Sequence, residues 1–339
     1  MQIELQNIPK RIIWIRYLTF RRVMNFLGLQ ASYFLSIFGI HFIRGLSPFF
    51  ISVEPCNYCQ LNCPECPVGN ATQLPVKETA MDYGTFQTLI NEMEATLLHV
   101  ILYFQGEPLI NKNFTNFAKY AHEKNIFTST STNAQLLNNL LAKEIVQSGL
   151  DKIIISIDGT TQEVYQQYRV GGKLQKAIDG IQHLVAWKKE LKSGTPFIEI
   201  QFIVLKTNEH QLSEMKALSK NLGADKLTFK TAQLYDFENG HSLMPINSKY
   251  SRYKKGTDGI FYIKAKQPNH CWRLWNGAVV SADARVIPCC FDKDGMNAYG
   301  KLDANTFHGI WQNKTASTFR ESILKNRKQY EMCRNCTSK

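Results

Sequence analysis

From Phe49 onward, short runs of β-branched and aromatic residues alternate with longer stretches in which apolar positions repeat at helical spacing. The short runs indicate strands, and the stretches of a dozen or more residues indicate amphipathic helices. The predicted strands are Phe50–Glu54, Val100–Phe104, Phe127–Ser131, Lys152–Ile157, Glu199–Val204 and Lys226–Lys230. The predicted helices are Tyr83–Leu97, Asn113–Lys124, Ala134–Ser148, Leu174–Lys192 and Glu209–Leu222.

Strands that alternate with helices in this way predict β-α units around a parallel sheet. Six units are too few for a complete eight-stranded barrel, so the pattern predicts an α/β fold with a partial (β/α)6 barrel of the TIM type. We expect this barrel in residues 47–235, a linker or bridging region in 236–268 and a small cysteine-rich domain in 269–339. In that last domain, Val279-Val280 and Arg285–Ile287 predict a hairpin, and Phe307–Asn326 a helix.

The first 46 residues follow a different pattern. Apolar residues are interleaved with arginines up to Arg22, and Val23–Ile43 then carries no formal charge apart from the titratable His41. This run approaches the length of a membrane span, but polar residues such as Asn25 and Gln30 dilute it. The pattern predicts a basic amphipathic helical extension over residues 1–46. A contact of residues 8–46 with a membrane surface, packing on the catalytic domain and binding of a partner subunit all stay open.

The nine cysteines fall into two groups, four within Cys56–Cys66 and five between Cys271 and Cys336. An odd number in short-spaced groups is typical of metal or cluster ligation in a reducing compartment rather than of a disulfide framework. We therefore expect a cytoplasmic protein, located peripherally at the inner membrane surface if the extension binds lipid.

Directly after the first predicted strand, Cys59, Cys63 and Cys66 form a C-x3-C-x2-C motif. Three thiolates at this spacing bind three irons of a 4Fe–4S cluster and leave the fourth iron open to an outside molecule. That open corner distinguishes a catalytic cluster from a closed electron carrier. Cys56 forms a further C-x2-C pair with Cys59 that is compatible with zinc, but we interpret Cys56 as a small buried residue that binds no metal.

In this motif the sequence resembles the radical S-adenosylmethionine (SAM) superfamily, and the resemblance extends over residues 48–339. It implies that the open iron binds the amino and carboxylate groups of SAM and that an electron from the reduced cluster cleaves the sulfur–C5′ bond. The resulting 5′-deoxyadenosyl radical would remove a hydrogen atom from a substrate inside the barrel. The implied partners are SAM, an unidentified substrate and an electron donor such as flavodoxin or ferredoxin.

Further motifs carry the resemblance past the cysteines. Gln105-Gly106-Glu107-Pro108 is similar to the family's Gly-Gly-Glu-Pro, with Gln105 in place of the first glycine. By this resemblance Glu107 accepts a hydrogen bond from the methionyl ammonium, and Gly106 lets the backbone approach the ligand. Ser131-Thr132-Asn133 resembles the family's Thr-Asn-Gly and places Asn133 near the ribose or the methionyl end.

Three more positions extend this set. Ser156 and Asp158 match residues that contact the ribose or the carboxylate, and Arg169 resembles an arginine that binds the carboxylate. One departure stands out, because Glu65 replaces an aromatic residue that packs near the adenosine in the family. Either the adenine stacks elsewhere, or Glu65 faces a different group.

The C-terminal cysteines form a second candidate site. Cys271, Cys289, Cys333 and Cys336 are four thiols suited to zinc or to a closed 4Fe–4S cluster. The arrangement resembles the SPASM and twitch auxiliary domains of radical SAM enzymes, which favours a cluster. When the chain is aligned with these domains, the ligand position falls on Cys289 rather than Cys290, and Ala284 stands where a glycine is usual. Such a cluster would accept an electron from a substrate radical or anchor the substrate.

The formal charge of +12 favours acidic partners such as anionic lipid, a phosphorylated small molecule or nucleic acid. Solvated helix faces that offset negatively charged clusters explain this net charge equally simply, and we do not expect a nucleic-acid partner.

Taken together, the motifs and the resemblance predict a radical SAM enzyme, with a small-molecule dehydrogenase favoured over a peptide or protein maturase. A non-catalytic iron–sulfur or zinc protein is the remaining alternative.

Overall fold

The computed structural model describes residues 10–40, 45–70, 77–303 and 305–337. Residues 1–9 and 41–44 of the predicted extension lie outside the described residues. The described part of the chain contains one large sheet with helices on its outer face and a separate two-stranded sheet.

Six parallel strands form the body of the large sheet, in the order of the sequence. This confirms the α/β class and the partial barrel, and each strand begins within two residues of its prediction. The strands are β1 (Phe50–Val53), β2 (His99–Ile101), β3 (Phe127–Thr132), β4 (Lys152–Ser156), β5 (Phe197–Val204) and β6 (Lys226–Thr231). Their apolar outer faces pack against the helices in a single core.

Three of the helices between these strands begin at side-chain caps, at Asp82, Asn138 and Thr161. Asp82 accepts a hydrogen bond from the Thr85 N–H, and Asn138 accepts one from the Leu141 N–H. The cap at Asn138 starts its helix five residues later than predicted, because Ala134 has a φ of +58° and cannot continue a right-handed helix. The helices are α2 (Tyr83–Met93), α3 (Phe114–Glu123), α4 (Asn139–Gln147), α5 (Gln162–Tyr168), α6 (Leu174–Glu190) and α7 (Leu212–Asn221).

The C-terminal hairpin extends the large sheet rather than forming a sheet of its own. Strand β9 (Gly277–Val280) pairs in parallel with β1, β10 (Arg285–Ile287) pairs antiparallel with β9, and β11 (Gly300–Lys301) forms the edge. All four residues of β9 are buried, so both faces of this strand must be covered, and its position against the barrel covers them. The sequence indicated the hairpin but not this pairing.

Helices complete the C-terminal region. The predicted helix Phe307–Asn326 is divided in two, because Asn313 caps a new helix by accepting a hydrogen bond from the Ala316 N–H. The region 236–268, predicted as a linker, contains the hairpin of β7 (Tyr253–Lys255) and β8 (Phe261–Ile263). The C-terminal helices are α8 (Trp272–Asn276), α9 (Phe307–Trp311), α10 (Lys314–Asn326) and α11 (Glu331–Arg334).

The N-terminal extension packs on the barrel through its polar side chains. A 3₁₀ helix, Lys10–Tyr17, precedes α1 (Phe20–Ile37), and the Tyr17 hydroxyl donates to the buried carboxylate of Asp151, just before β4. The buried Arg22 donates to the carbonyl oxygens of Tyr17 at 2.7 Å and Glu94 at 2.8 Å. Helices of the described residues all fall short of the length and apolarity that a membrane span requires.

Candidate active site

The loop after β1 carries the first cysteine group and lies across the C-terminal ends of the strands. Backbone hydrogen bonds fix it at three points: from Met81 to Pro55 at 2.9 Å, from Glu107 to Tyr58 at 2.9 Å and from Asn62 to Val170 at 3.0 Å. The loop is therefore attached to the segments that follow β2 and β4. Those segments carry the residues that the sequence assigned to SAM.

Two glycines let this loop fold tightly. A Cβ atom on Gly106 would lie 2.2 Å from the Cys56 carbonyl oxygen, and one on Gly69 would lie 2.5 Å from the Cys63 nitrogen. The space at Gly106 is thus used by the backbone of the cysteine loop itself. Gly69 was missed in the sequence because no motif contains it, and it supports the loop in the same way.

Cys59, Cys63 and Cys66 lie together around Leu61 and Tyr168, and none of them forms a disulfide. Burial raises the pKa of the Cys59 thiol to about 12, and the neighbouring Glu107, Cys63 and Cys66 add to this effect. Three thiolates so close together repel one another unless a shared cation is bound. The donor set therefore fits three irons of a cluster, which supply that charge.

Hydrogen-bond donors surround these sulfur atoms. The Leu61 N–H and the Asn133 Nδ2 each lie 3.4 Å from the Cys59 Sγ, and the Arg169 Nη1 lies 3.9 Å from the Cys63 Sγ. Donors of this kind stabilise negatively charged sulfur and tune a cluster that the sulfur binds.

Glu107 is buried beside this loop with both carboxylate oxygens oriented. Its Oε1 accepts from the Thr132 hydroxyl at 2.6 Å and the Leu109 N–H at 3.2 Å, and its Oε2 accepts from the Asn133 N–H at 2.8 Å. Burial raises the pKa of Glu107 to about 6, although these hydrogen bonds lower it. A carboxylate has about four acceptor positions, so one remains for an ammonium group.

Arg169 and Asp158 form a buried ion pair at 2.6 Å. The remaining Asp158 oxygen accepts from the Ile203 N–H at 2.6 Å, so both oxygens of this carboxylate contact the protein. Burial lowers the pKa of Arg169, but the Asp158 carboxylate and the Cys63 sulfur raise it more. Asp158 therefore orients Arg169, and its direct contact with the ligand stays a prediction.

The remaining predicted contacts lie at the same end of the barrel. Ser156 is the last residue of β4 and is buried. Gln105 has no positive φ, so a glycine is not needed there, and its Nε2 donates to the Lys293 carbonyl oxygen at 2.5 Å. Gln105 therefore links the barrel to the C-terminal region.

Two residues at which the sequence departs from the family pattern have hydrogen-bond partners within the chain. The Cys56 Sγ donates to the Glu107 carbonyl oxygen at 3.0 Å, which supports its interpretation as a buried residue that binds no metal. Glu65 accepts from the Tyr235 N–H at 2.8 Å and contacts the His241 Nε2 at 3.3 Å. Glu65 thus faces a different group from the one that its aromatic counterpart would contact, and it attaches the cysteine loop to the region after β6.

The second cysteine group brings together residues from distant parts of the chain. Burial raises the pKa of Cys289, and Cys271 and Cys333 are close enough to raise it further. The Gln267 side chain donates to the carbonyl oxygens of Cys333 at 2.9 Å and Cys336 at 3.0 Å, which joins the terminal segment to the start of this region. Cys290 instead packs against the apolar cluster of Phe104, Val279 and Ile287.

The buried Arg327 is a residue of this site that the sequence did not reveal. Burial lowers the pKa of its guanidinium, but Cys271, Cys336 and Cys333 raise it more. Groups of three or more ligand-type side chains arranged around a single ion are absent from the described residues.

A cavity of about 150 Å³ lies beside the second cysteine group, with Cys289 and Cys290 in its lining. Tyr103 projects into it and is close enough to Cys66 and Cys290 for both to affect the pKa of its hydroxyl, which burial raises. Ser52 and Arg273 also line this space. Tyr103 therefore connects this cavity, which the second cysteine group lines, with the first cysteine group.

Two family models match the chain. Residues 53–215 match the radical SAM superfamily, and residues 271–337 match SPASM, an iron–sulfur cluster-binding domain. Together these matches cover about two thirds of the chain. They coincide with the two cysteine groups.

Relatives of known function share similar sequences. The chain is 25% identical over 318 residues to the tungsten-containing aldehyde ferredoxin oxidoreductase cofactor-modifying protein of Pyrococcus furiosus, covering 85% of this chain and 87% of the relative. It is 26% identical to the PqqA peptide cyclase of Gluconobacter oxydans, covering 71% and 70%.

A solved structure shows the same fold. Streptococcus suis SuiB bound to S-adenosylmethionine superposes with a TM-score of 0.62 at 14% identity, covering 86% of this chain and 72% of that one. At this level of identity the likeness concerns the fold alone.

Proposed function

The chain belongs to the radical SAM superfamily and carries a SPASM domain, and we propose that it removes a hydrogen atom from a substrate held between two iron–sulfur clusters. The observation that carries this proposal is the convergence of Glu107, Asn133 and Arg169 on the thiols of Cys59 and Cys63. These residues come from the segments after β2, β3 and α5. A carboxylate, an amide and a guanidinium thus lie beside these thiols, which supports the proposal.

With its cluster bound, this site would supply the reductive cleavage of SAM to a 5′-deoxyadenosyl radical. The protein's part is to hold SAM in place. Glu107 accepts from its ammonium group, and Arg169, oriented by Asp158, pairs with its carboxylate. Asn133 orients the ligand beside Cys59, and Ser156 contacts the ribose. The surrounding barrel keeps water away from the reacting carbon.

Cys271, Cys289, Cys333 and Cys336 would hold the auxiliary cluster. All four positions of such a site are filled by protein, so it takes up an electron or anchors a substrate rather than binding SAM. Arg327 offsets the negative charge of the thiolates. The reducing electron for the first cluster would come from a donor such as flavodoxin or ferredoxin.

We favour a small-molecule substrate. The single set of four C-terminal cysteines and the small volume around Tyr103 support this choice. A peptide substrate is the second candidate, since PqqA peptide cyclases are among the relatives.

The test is anaerobic. Protein loaded with iron and sulfide is mixed with dithionite and SAM, and 5′-deoxyadenosine is measured by mass spectrometry. We expect its formation above that of a mixture without dithionite. A cluster-loaded protein that forms none would contradict the proposal. Small-molecule and peptide fractions of the producing cells, added separately, identify the substrate class by which fraction stimulates turnover.

We also propose that α1 places the enzyme on a bilayer surface. Its polar residues face the barrel, and an apolar stripe at helical spacing faces outward. Phe20 is 80% exposed, Phe38 79% and Phe34 59%, with Met24 and Leu27 between them. Arg21 is exposed beside this stripe, and the net charge of +12 favours anionic lipid.

Flotation tests this contact. We expect the protein to float with vesicles of phosphatidylglycerol and phosphatidylcholine but not with phosphatidylcholine alone. Replacing Phe20, Met24 and Leu27 with serine should abolish flotation, while Ile246→Ser, at an equally exposed position elsewhere, should not. Flotation of the triple variant to the wild-type extent would overturn this proposal.

A further inference from the structure

A second cavity, of about 1200 Å³, lies at the opposite end of the barrel from the cysteine loop. Its walls include Phe49, Leu98 and Phe127, which lie at the N-terminal ends of three parallel strands. This volume is slightly above the usual range of ligand pockets, which is about 300–1,000 Å³. We call this space the lower chamber.

The N-terminal extension forms the outer wall of the lower chamber. Trp14, Leu18, Val23 and Phe26 line it, and Trp14 and Leu18 are also 42% and 37% exposed. These two residues therefore lie at its mouth. The exposed stripe of α1 begins at Phe20, only two residues beyond Leu18, so the mouth and the proposed membrane-facing surface adjoin.

The lower chamber contains one excess positive charge. The carboxylate of Glu199 is shared by Lys152 at 2.7 Å and Lys226 at 3.4 Å, and it also accepts from the Thr228 hydroxyl. Half of the Lys226 side chain is exposed. His99 is the other titratable group in the lining; burial and Lys152 lower its pKa to about 3, so it is neutral at pH 7.

An apolar wall with a single excess cation fits a molecule with a long apolar chain and an anionic head. We propose that the lower chamber binds the chain of an anionic amphiphile taken from the bilayer on which α1 lies. The chain packs against the aromatic lining, and the anionic head stays near Lys226. Burial of apolar area supplies the affinity, and the lysine selects the charge.

The position of the lower chamber connects it with the reaction. Phe50 and Ile101 line both this chamber and the smaller cavity that contains Tyr103. Strand β1 has four residues, which corresponds to about 13 Å between the two ends of the barrel. A bound chain therefore points toward the reacting centre. The step from ligand to substrate rests on the proposed function, whereas binding itself does not.

Equilibrium dialysis of the iron-loaded protein against radiolabelled palmitate tests this inference. We expect saturable binding of one palmitate per chain, and at least tenfold weaker binding of hexadecanol, which lacks the charge. Ile154→Trp, which places a larger side chain in the lower chamber, and Lys226→Glu, which reverses the charge of a lysine in its lining, should each weaken palmitate binding at least tenfold. Lys230→Glu, on the same strand but outside the lining, should stay within twofold of wild type.

Lack of saturable binding by the wild-type protein would overturn the inference, as would equal binding by Lys226→Glu and Lys230→Glu. If Ile154→Trp does not fold, the exposed Lys226 variant still decides. Measuring 5′-deoxyadenosine in the same samples separates the two proposals. Palmitate binding without SAM cleavage contradicts the proposed function alone, and cleavage without palmitate binding contradicts the lower-chamber ligand alone.

Discussion

The two cysteine groups of this protein are built in opposite ways. Cys59, Cys63 and Cys66 lie on one short loop, and other segments contribute only groups that surround it, such as Glu107 and Arg169. The C-terminal group instead collects its thiols from the start of α8, the segment after β10 and the last turn of the chain. One group is local with an open side, and the other is assembled by the fold and enclosed.

This difference in construction suits the two cysteine groups to different tasks. A local loop can hold three irons and leave the fourth to a ligand, whose binding groups the barrel supplies from other strands. Four thiols from distant segments close a site and at the same time tie the terminal helices to the sheet. We therefore expect loss of the first group to abolish chemistry with little effect on the fold, and loss of the second to affect both.

The largest expected effect comes from replacing Cys59, Cys63 and Cys66 with alanine. Formation of 5′-deoxyadenosine should fall to the protein-free background, and the protein should lose about four irons. Cys56→Ser is the matched control on the same loop and should retain both iron and cleavage. If Cys56→Ser lost its iron as well, our interpretation of Cys56 would be wrong.

Cys289→Ser and Cys290→Ser form the second test, since the two residues are adjacent but face different groups. The Cys289 variant should lose the iron of the auxiliary site and unfold at a lower temperature, because metal binding contributes to folding. The Cys290 variant should keep its iron. Iron analysis and calorimetry measure both effects, and the reverse pattern would exchange the two roles.

A smaller effect is expected from pH. Because burial raises the pKa of Glu107 to about 6, the carboxylate that we propose as the acceptor of the SAM ammonium group is mostly ionised only above that pH. SAM affinity should rise about tenfold from pH 5 to pH 7 and then level off. In Glu107→Gln, affinity should be lower and independent of pH over this range, as measured by calorimetric titration.

The stability of the unliganded protein should depend on pH in the opposite direction from SAM affinity. A folded-state pKa above the usual 4.5 means that protonated Glu107 favours folding, so its contribution to stability is lost as the pH rises through 6. Denaturant titrations of wild type and Glu107→Gln at pH 5 and pH 7 measure this difference. A stability difference between the two proteins that does not change with pH would argue against the raised pKa.

The smallest expected effect concerns Ala284, in the turn between β9 and β10. Its φ of +67° lies in the left-handed region, where a Cβ atom costs about 1 kcal/mol. Ala284→Gly should therefore raise the free energy of unfolding by about 0.5–1 kcal/mol. Ala282→Gly, at a buried position without a positive φ, should lower it by a similar amount.

Much of the barrel was predictable because its strands are short runs rich in β-branched and aromatic residues that alternate with helical stretches. The predicted start of helix α4 was wrong because Glu107 shapes the loop at Asn133 and Ala134. Hydrophobic periodicity does not reveal this contact. The parallel pairing of β9 with β1 joins segments more than 200 residues apart, which local patterns cannot indicate.

The site shows the same limit. The resemblance identified Glu107, Asn133 and Arg169, because their motifs are local. It did not reveal Arg327 or Gly69, whose importance depends on which backbone or thiol lies beside them. Asp158 was identified, but its engagement with Arg169 and the Ile203 N–H appears only once the strands are assembled.

The most direct test of the contrast between an open and a closed site uses SAM labelled with nitrogen-15 in its amino group. Electron–nuclear double resonance of the reduced protein detects whether this nitrogen binds a cluster iron. We predict a strong coupling in a variant that lacks the C-terminal cysteines and no coupling in one that lacks Cys59, Cys63 and Cys66. Coupling that depended on Cys271, Cys289, Cys333 and Cys336, with none from the first group, would contradict the account.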